Sequence, residues 1–346
     1  MLHVISQCPV AHAFFAKYLG GKTCNLVFHM DEGRLGNILR PDIARSFVQC
    51  SWTFSELPMW FRAREGGWFP LAELPSSICK GDSVSPIFVQ LLKQFFCTEL
   101  GFDFEASGIS VDFNENSFHC FAKIETIIVD EKQHKEIADL KGALGLKFCA
   151  KCMNAVRGRT ISADDTYLVD VSCGDTSRFK LHTAATLNIL ADHLEYMKGR
   201  LGVGDFKTLE TNAGLTYNPR GLLWNREMRR FASYPEVLAF DPMHNLYASG
   251  GIAQYQINKF ALDLTKNTAI TLEMLDKFSE HVCSPKGKLN KQFWQSRVVA
   301  PEKKNKSPTI RAFASEVIIA IGVLMHLSDI VLVPAGVNDL MSDHIS

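Results

Sequence analysis

The sequence predicts an α/β protein, a mixed sheet with helices on its faces followed by a large, mostly helical stretch. Three observations carry this. CNLVFHM (24–30) is a short apolar run bounded by turn signals on both sides, the profile of a central strand. SFVQCSWTFSE (46–56) alternates, with Val48, Cys50, Trp52 and Phe54 on one face and Gln49, Ser51, Thr53 and Ser55 on the other. A helical pattern at 85–100 then separates these segments from a further alternating run at 118–131, so strands precede and follow a helical crossover.

Taken in order, AHAFFAKYLGG reads as a short helix ending at a glycine pair, ahead of the first strand. GGWFPLAEL (66–74) is the third strand. SPIFVQLLKQFFCTEL (85–100) opens with Ser then Pro, the chemistry of an N-cap and first helical turn. FHCFAKIETIIVDE (118–131) alternates again, and KFCAKC (147–152) is expected as one more short strand. From about 153 to 306 helical segments and polar loops take over, among them FKLHTAATLNILADHLEYMKG and the stretch from Gly251 to Glu280. PEKKNKSP (301–308) is the clearest linker, a solvated basic loop in preference to a nuclear-import signal.

Lys plus Arg and Asp plus Glu are 37 each, so no global field announces a nucleic-acid partner and any such contact must come from a local patch. Ten scattered cysteines, mostly in apolar runs, and no signal-peptide pattern point to a reducing compartment. The longest apolar stretch, from Val317 to Val333, is interrupted by His326, Ser328 and Asp329 and reads as a buried helix, not a membrane span.

Two glycine motifs fail on context. AKYLGGKT (16–23) has a helix before it and a strand after it, the reverse of a phosphate loop, and GRLGVGDF (199–206) has no strand leading into it. CAKC (149–152) has the spacing that lets two thiolates reach one Zn²⁺, with His244 of DPMH as a third ligand across the fold; two core or redox-active cysteines are the alternative.

The sharper signals are acids. Period-2 alternation puts Asp130 on the face of Cys120, Ala122, Ile124, Thr126 and Ile128, an apolar side on which a carboxylate needs compensation. Asp31 and Glu32 end the first strand, where a plain turn-entry role for Asp31 stands beside a chemical one. SPTIRAFASEVIIAIGVLMHL reads as a helix with Ser307 as N-cap and Pro308 at its first position. Glu316 then lies more than two turns in, among Ala312, Phe313, Ile319 and Ala320, and must be neutral, paired with a cation or bound to metal. Three acids brought together would suit a two-metal phosphoryl-transfer site; a turn acid, a strand-end acid and an ion-paired acid are the bland alternative.

Four stretches together resemble the DDE/D cut-and-paste transposases, in particular the CACTA-like and related eukaryotic branch with Cys-x-x-Cys and Asp/Cys-x-x-His motifs. They are HMDEGRLGNILRPD (29–42), IIVDEKQHKEIADLKGALGLKFCAKCMNAV (127–156), FDPMHNLYASGG (240–251) and RAFASEVI (311–318), and the likeness runs from about residue 24 to 330. The resemblance implies an RNase H-like core: three antiparallel strands, a helix, then a fourth strand beside the first, with a helical insertion before the last acid. Matched by position it makes Asp31, Asp130 and Glu316 the catalytic acids, holding Mg²⁺ or Mn²⁺, and Cys149, Cys152 and His244 the zinc-type positions.

The resulting division is a short helical remnant at 1–22, the first part of the core at 23–152, a helical insertion with the zinc-type motif at 153–306, and a core helix and tail at 307–346. The expected activity is that of a DNA nuclease and strand transferase, nuclear, with DNA as partner, no membrane, and homo-oligomerisation left open. Only 22 residues precede the first strand and the net charge is zero, which points to a truncated or domesticated copy. The rival reading is a catalytically inactive, zinc-containing DNA-binding or interaction protein derived from such an enzyme. A weaker one is an unrelated metal hydrolase using Asp241 and His244.

Overall fold

The computed structural model describes residues 8–34, 46–82, 84–97, 102–156, 166–248, 251–282, 287–299 and 309–337. The chain divides into two compact units, Met1–Ala239 and Phe240–Ser346.

The first unit opens with helix α1 (Pro9–Leu19), whose proline stands where no amide donor is needed and which stops at Gly20. Strands β1 (Thr23–Arg34), β2 (Ser46–Phe54) and β3 (Phe69–Pro75) form an antiparallel meander. Helices α2 (Ser76–Asp82) and α3 (Val84–Leu92) follow, then the hairpin of β4 (Ile109–Phe113) with the long β5 (Asn116–Val129). β5 runs parallel to β1 and leads into helix α4 (Glu131–Ile137). Helices α5 (Ala184–Lys198) and α6 (Val203–Ala213) lie between α4 and the short edge strand β6 (Leu238–Phe240). The sheet order is β6–β5–β1–β2–β3, with β4 also on β5. This is the mixed α/β architecture expected.

The strand faces follow the side chains. Leu26, Phe28 and Met30 of β1 are buried, and Phe28 meets Phe88 and Phe95 edge-on at 6.1 and 5.4 Å, which seats α3 and the turn after it on that face. A fully buried phenylalanine contributes about 2–3 kcal/mol from area alone. On β2 the alternating set Val48, Cys50, Trp52 and Phe54 is buried as expected, but so are Ser51 and Thr53, whose hydroxyl donates to the Gly67 carbonyl at 2.7 Å. Both faces of β2 are therefore covered from Cys50 to Phe54.

Several expectations need correction. Ser85 is not the cap of α3, which already starts at Val84; its buried Oγ instead accepts the Leu222 amide at 2.8 Å. KFCAKC is not a strand but a turn-rich loop anchored by isolated bridges Lys147↔Val156 and Cys152↔Leu181. β1 runs on to Arg34, so Asp31 is inside a strand and does not enter a turn.

The second unit packs helices α7 (Ile252–Asn267), α8 (Leu272–His281), α9 (Phe293–Arg297) and α10 (Ala314–Leu327) around Phe260, Leu264, Leu275, Trp294, Val317, Ala320 and Val323. Buried polar side chains tie its loops. Asn258 pairs with both backbone groups of Val299, and Asp276 accepts the Trp294 amide at 2.8 Å. Together with a wide turn at Ser328–Leu332, α10 forms the one described helix long and apolar enough to cross a membrane, but with Val317, Ala320, Val323 and Leu327 packed inside it behaves as a core helix. It is not fully buried as expected, since Ile318, Met325 and Ile330 are exposed. Pro308, Ser307, the basic segment 301–308 and Gly250 lie outside the described residues.

Candidate active site

Two of the three expected acids stand at one end of the sheet in the first unit. The β1–β5 register ends at Phe28↔Ile127 and His29↔Ile128. Two residues further along both parallel chains are Asp31 and Asp130, which this register brings level, with neighbouring strand backbones about 4.8 Å apart. Asp130 is the N-cap of α4 and accepts the Gln133 amide through Oδ1 at 2.7 Å. Asp31 Oδ1 accepts the Glu32 amide at 2.7 Å. The second oxygen of each carboxylate makes no hydrogen bond to a described residue.

Their common face depends on a bulge. The register shifts between Leu26↔Ile124 and Val27↔Thr126, leaving Glu125 as the extra residue of β5. Before it the buried residues are Phe118, Cys120, Ala122 and Ile124; after it they are Ile127 and Val129. Asp130 therefore does not share a face with Cys120, Ala122 and Ile124, as unbroken alternation requires, but follows Thr126 and Ile128 on the half-buried side. Since His29 and Ile128 are register partners, Asp31 and Asp130 come out on the same face, opposite Phe28 and Met30.

Charged neighbours surround this end. Lys132, in the first turn of α4, pairs with Glu32 at 2.6 Å, and Lys135 pairs with Glu131 at 2.5 Å. Burial raises the Glu136 carboxyl above the usual range, with the Lys132 charge opposing and the Asp130 and Glu32 charges adding to the rise. The hydrogen bond to Glu32 leads the factors that hold the Lys132 ammonium up. Among the described residues, Glu32 is paired with Lys132, and the Lys132 charge also acts on Asp130 and Glu136. Asp31 and Asp130, each with one oxygen unbonded among the described residues, suit a divalent cation, and a hydrated Mg²⁺ needs only one or two protein carboxylates. Among the described residues no three His, Cys, Asp or Glu side chains already stand as a metal-ligand set.

Glu316 belongs to the second unit, and its local setting differs from the expectation. α10 starts at Ala314 with Phe313 as N-cap, so Glu316 sits at the third position of the helix and not two turns in. Its Oε2 accepts the Phe313 amide at 2.9 Å, Oε1 accepts from Asn290 Nδ2 at 3.0 Å, and Arg297 lies 3.9 Å away. This is half of a capping box, because phenylalanine has no side-chain acceptor to return the bond. The cation required by its apolar neighbours in sequence is Arg297.

Cys149 and Cys152 are partly buried free thiols of the first unit, and the Cys152 amide donates to Cys149 Sγ at 3.3 Å. Burial, then Cys149, pushes the Cys152 thiol up to about 12. His182 lines the same small cleft as Cys149, and its amide donates to the Lys151 carbonyl at 2.8 Å. Burial and the Lys147 charge hold its ring down to about 4. Tyr234 is fully buried beside them; its hydroxyl has no partner among the described residues, and burial and Cys149 raise its pKa. His244 is in the second unit, where Nδ1 meets Asp241 Oδ2 at 2.6 Å while Asp241 Oδ1 accepts the Met243 amide. Asp241 and His244 thus form a closed local turn.

Sequence reasoning missed Lys132, Glu136 and His182. Asp130 followed three residues later by Gln133 was a readable helix start, and it would have placed Lys132 in the first turn. Nothing local marks His182, which reaches the cysteine turn through a non-local bridge. No family model matches the chain, and no curated protein matches it.

Proposed function

We propose that the protein is a transposase-like DNA nuclease and strand transferase with an RNase H-like core, in which Asp31 and Asp130 hold Mg²⁺ or Mn²⁺. The observation that carries this reading is the register that, continued two residues, brings the two acids level, on one face, just past the end of the β1–β5 parallel pairing. That end of a parallel strand pair is where ligands gather in open α/β sheets. The sheet order supports the core assignment: three antiparallel strands, then a fourth that returns parallel to the first on its free side.

The metal, when bound, stabilises charge on the attacking and leaving oxygens of a phosphodiester. The protein's own part is to hold the two carboxylates ready. Asp130 is fixed by its cap bond to Gln133, Asp31 by the strand and by the Glu32 amide, and each keeps an oxygen for the ion. Glu316, named as the third acid by the sequence resemblance alone, is oriented within the second unit by Phe313, Asn290 and Arg297. DNA is the partner, the compartment nuclear, and self-association a matter for solution measurement.

Incubation with supercoiled plasmid and Mn²⁺ tests the proposal. Nicking by the wild-type chain, lost in Asp31→Asn and in Asp130→Asn, is the expected result; nicking that survives both substitutions removes these acids from the chemistry.

One observation favours a second reading, a non-catalytic zinc-containing module: the Cys149–Cys152 turn is closed by an N–H···S bond that holds the two thiols on one short turn at the spacing of a zinc-ligand pair. It predicts about one zinc per chain, lost in Cys149→Ser, with no metal-dependent nicking. Within the first unit His182 is the candidate third ligand, and zinc content of His182→Ala tests it.

A further inference from the structure

The acid-rich sheet end contains its own cation. Lys132 Nζ lies 2.6 Å from Glu32 Oε2, across 100 residues of sequence, and is within electrostatic reach of Asp130 and Glu136. The other lysine of α4's exposed surface, Lys135, is committed to Glu131 one turn back. Glu32 and Asp31 are consecutive in β1 and so point to opposite faces, which puts the Lys132–Glu32 pair beside the Asp31–Asp130 face and not on it. Lys132 therefore acts on that face through space without occupying it.

From this placement we infer that Lys132 is a built-in counter-cation of the metal site: it offsets the mutual repulsion of the acids when no metal is bound and sets how tightly a divalent ion binds. The inference rests on the reading of Asp31 and Asp130 as metal ligands. Two consequences follow from charge alone. Removing the ammonium relieves its repulsion of the ion and tightens binding, whereas removing the Glu32 charge weakens it. For a unit charge and a divalent ion about 6–10 Å apart in a water-like dielectric, the effect is about fivefold in affinity. Lys132 is half exposed and the pair sits at the surface, so salt with a Debye length of about 8 Å at physiological strength shrinks the effect.

A lysine that merely braces the end of β1 against α4 predicts the opposite sign, because its loss would let the two acids drift apart and weaken binding. Titration of the full chain with Mn²⁺, read by the electron paramagnetic resonance of free ion, separates the two. Lys132→Met is expected to bind Mn²⁺ about fivefold more tightly at low salt, Lys132→Arg to match wild type, and Glu32→Gln to bind more weakly. Weaker or unchanged binding by Lys132→Met, with a wild-type circular dichroism melt, overturns the inference while leaving the site in place. Asp130→Asn is the control: if it binds Mn²⁺ as wild type does, it is the assignment of the site that fails.

Discussion

Asp130 is asked to do two things, and one pair of substitutions separates them. Its Oδ1 caps α4 by accepting the Gln133 amide at 2.7 Å, and in the proposed function its other oxygen holds a metal ion. Asparagine caps a helix about as well as aspartate, whereas alanine loses about 1 kcal/mol. For a unit of this size that loss lowers Tm by roughly 2–4 °C. Mn²⁺ at ten times a Kd of about 1 mM adds about 1.4 kcal/mol, again a few degrees. Differential scanning fluorimetry with and without about 10 mM Mn²⁺ should then give three patterns. The wild type has the full melting temperature and the metal increment, Asp130→Asn keeps the first and loses the second, and Asp130→Ala loses both. A metal increment that persists in Asp130→Asn and Asp130→Ala would show Asp130 to be a helix cap and nothing more.

The remaining predictions concern the groups around it. Glu316→Gln keeps an acceptor for the Phe313 amide and should melt close to wild type, while Glu316→Ala loses about 1 kcal/mol of cap and pairing. Burial raises the Glu136 carboxyl above its ordinary 4.5, so its ionised form opposes folding: the favourable contribution is complete below 4.5 and is lost as pH rises through the raised folded value. Urea midpoints of Glu136→Gln should accordingly exceed wild type at pH 7–8 and converge with it below 4.5. His134 runs the other way, held down to about 3 by burial, with Lys151 adding to the effect. Its neutral form supports the fold above 6.5, and stability should fall from there toward 3, by up to about 1.4 kcal/mol per pH unit; replacement by Leu flattens that limb. Gly214 ends α6 with φ of 76°, and a Cβ there would meet the Lys147 carbonyl oxygen at 2.2 Å. Gly214→Ala should cost about 1–3 kcal/mol by equilibrium unfolding and displace the loop that carries Cys149.

Much of the first unit was readable because its signals are local. The apolar run around Val27, the alternation from Val48 to Phe54 and the strand before Asp130 all appear where side-chain period dictates, since each must bury one face or both. Helix starts were less legible. Ser-Pro pairs look alike in sequence, yet Ser85 was taken into a contact with Leu222, and α10 starts only at Ala314, where the Glu316 carboxylate satisfies the amide of Phe313. In both places a tertiary or nearby partner outweighed the intrinsic preference of the cap.

The amino-acid sequence by itself determined the alternation of strands and helices, Asp130 at the end of its strand and the close spacing of Cys149 and Cys152, because these follow from periodicity and from neighbours along the chain. Tertiary structure alone decided which face Asp130 occupies. One extra residue, Glu125, opposite the β1 register inverts every side chain after it, and nothing in FHCFAKIETIIVDE marks the place where two strands fall out of step. The same holds for Lys132 and Glu32: a pair separated by 100 residues exists only once β1 and β5 lie side by side.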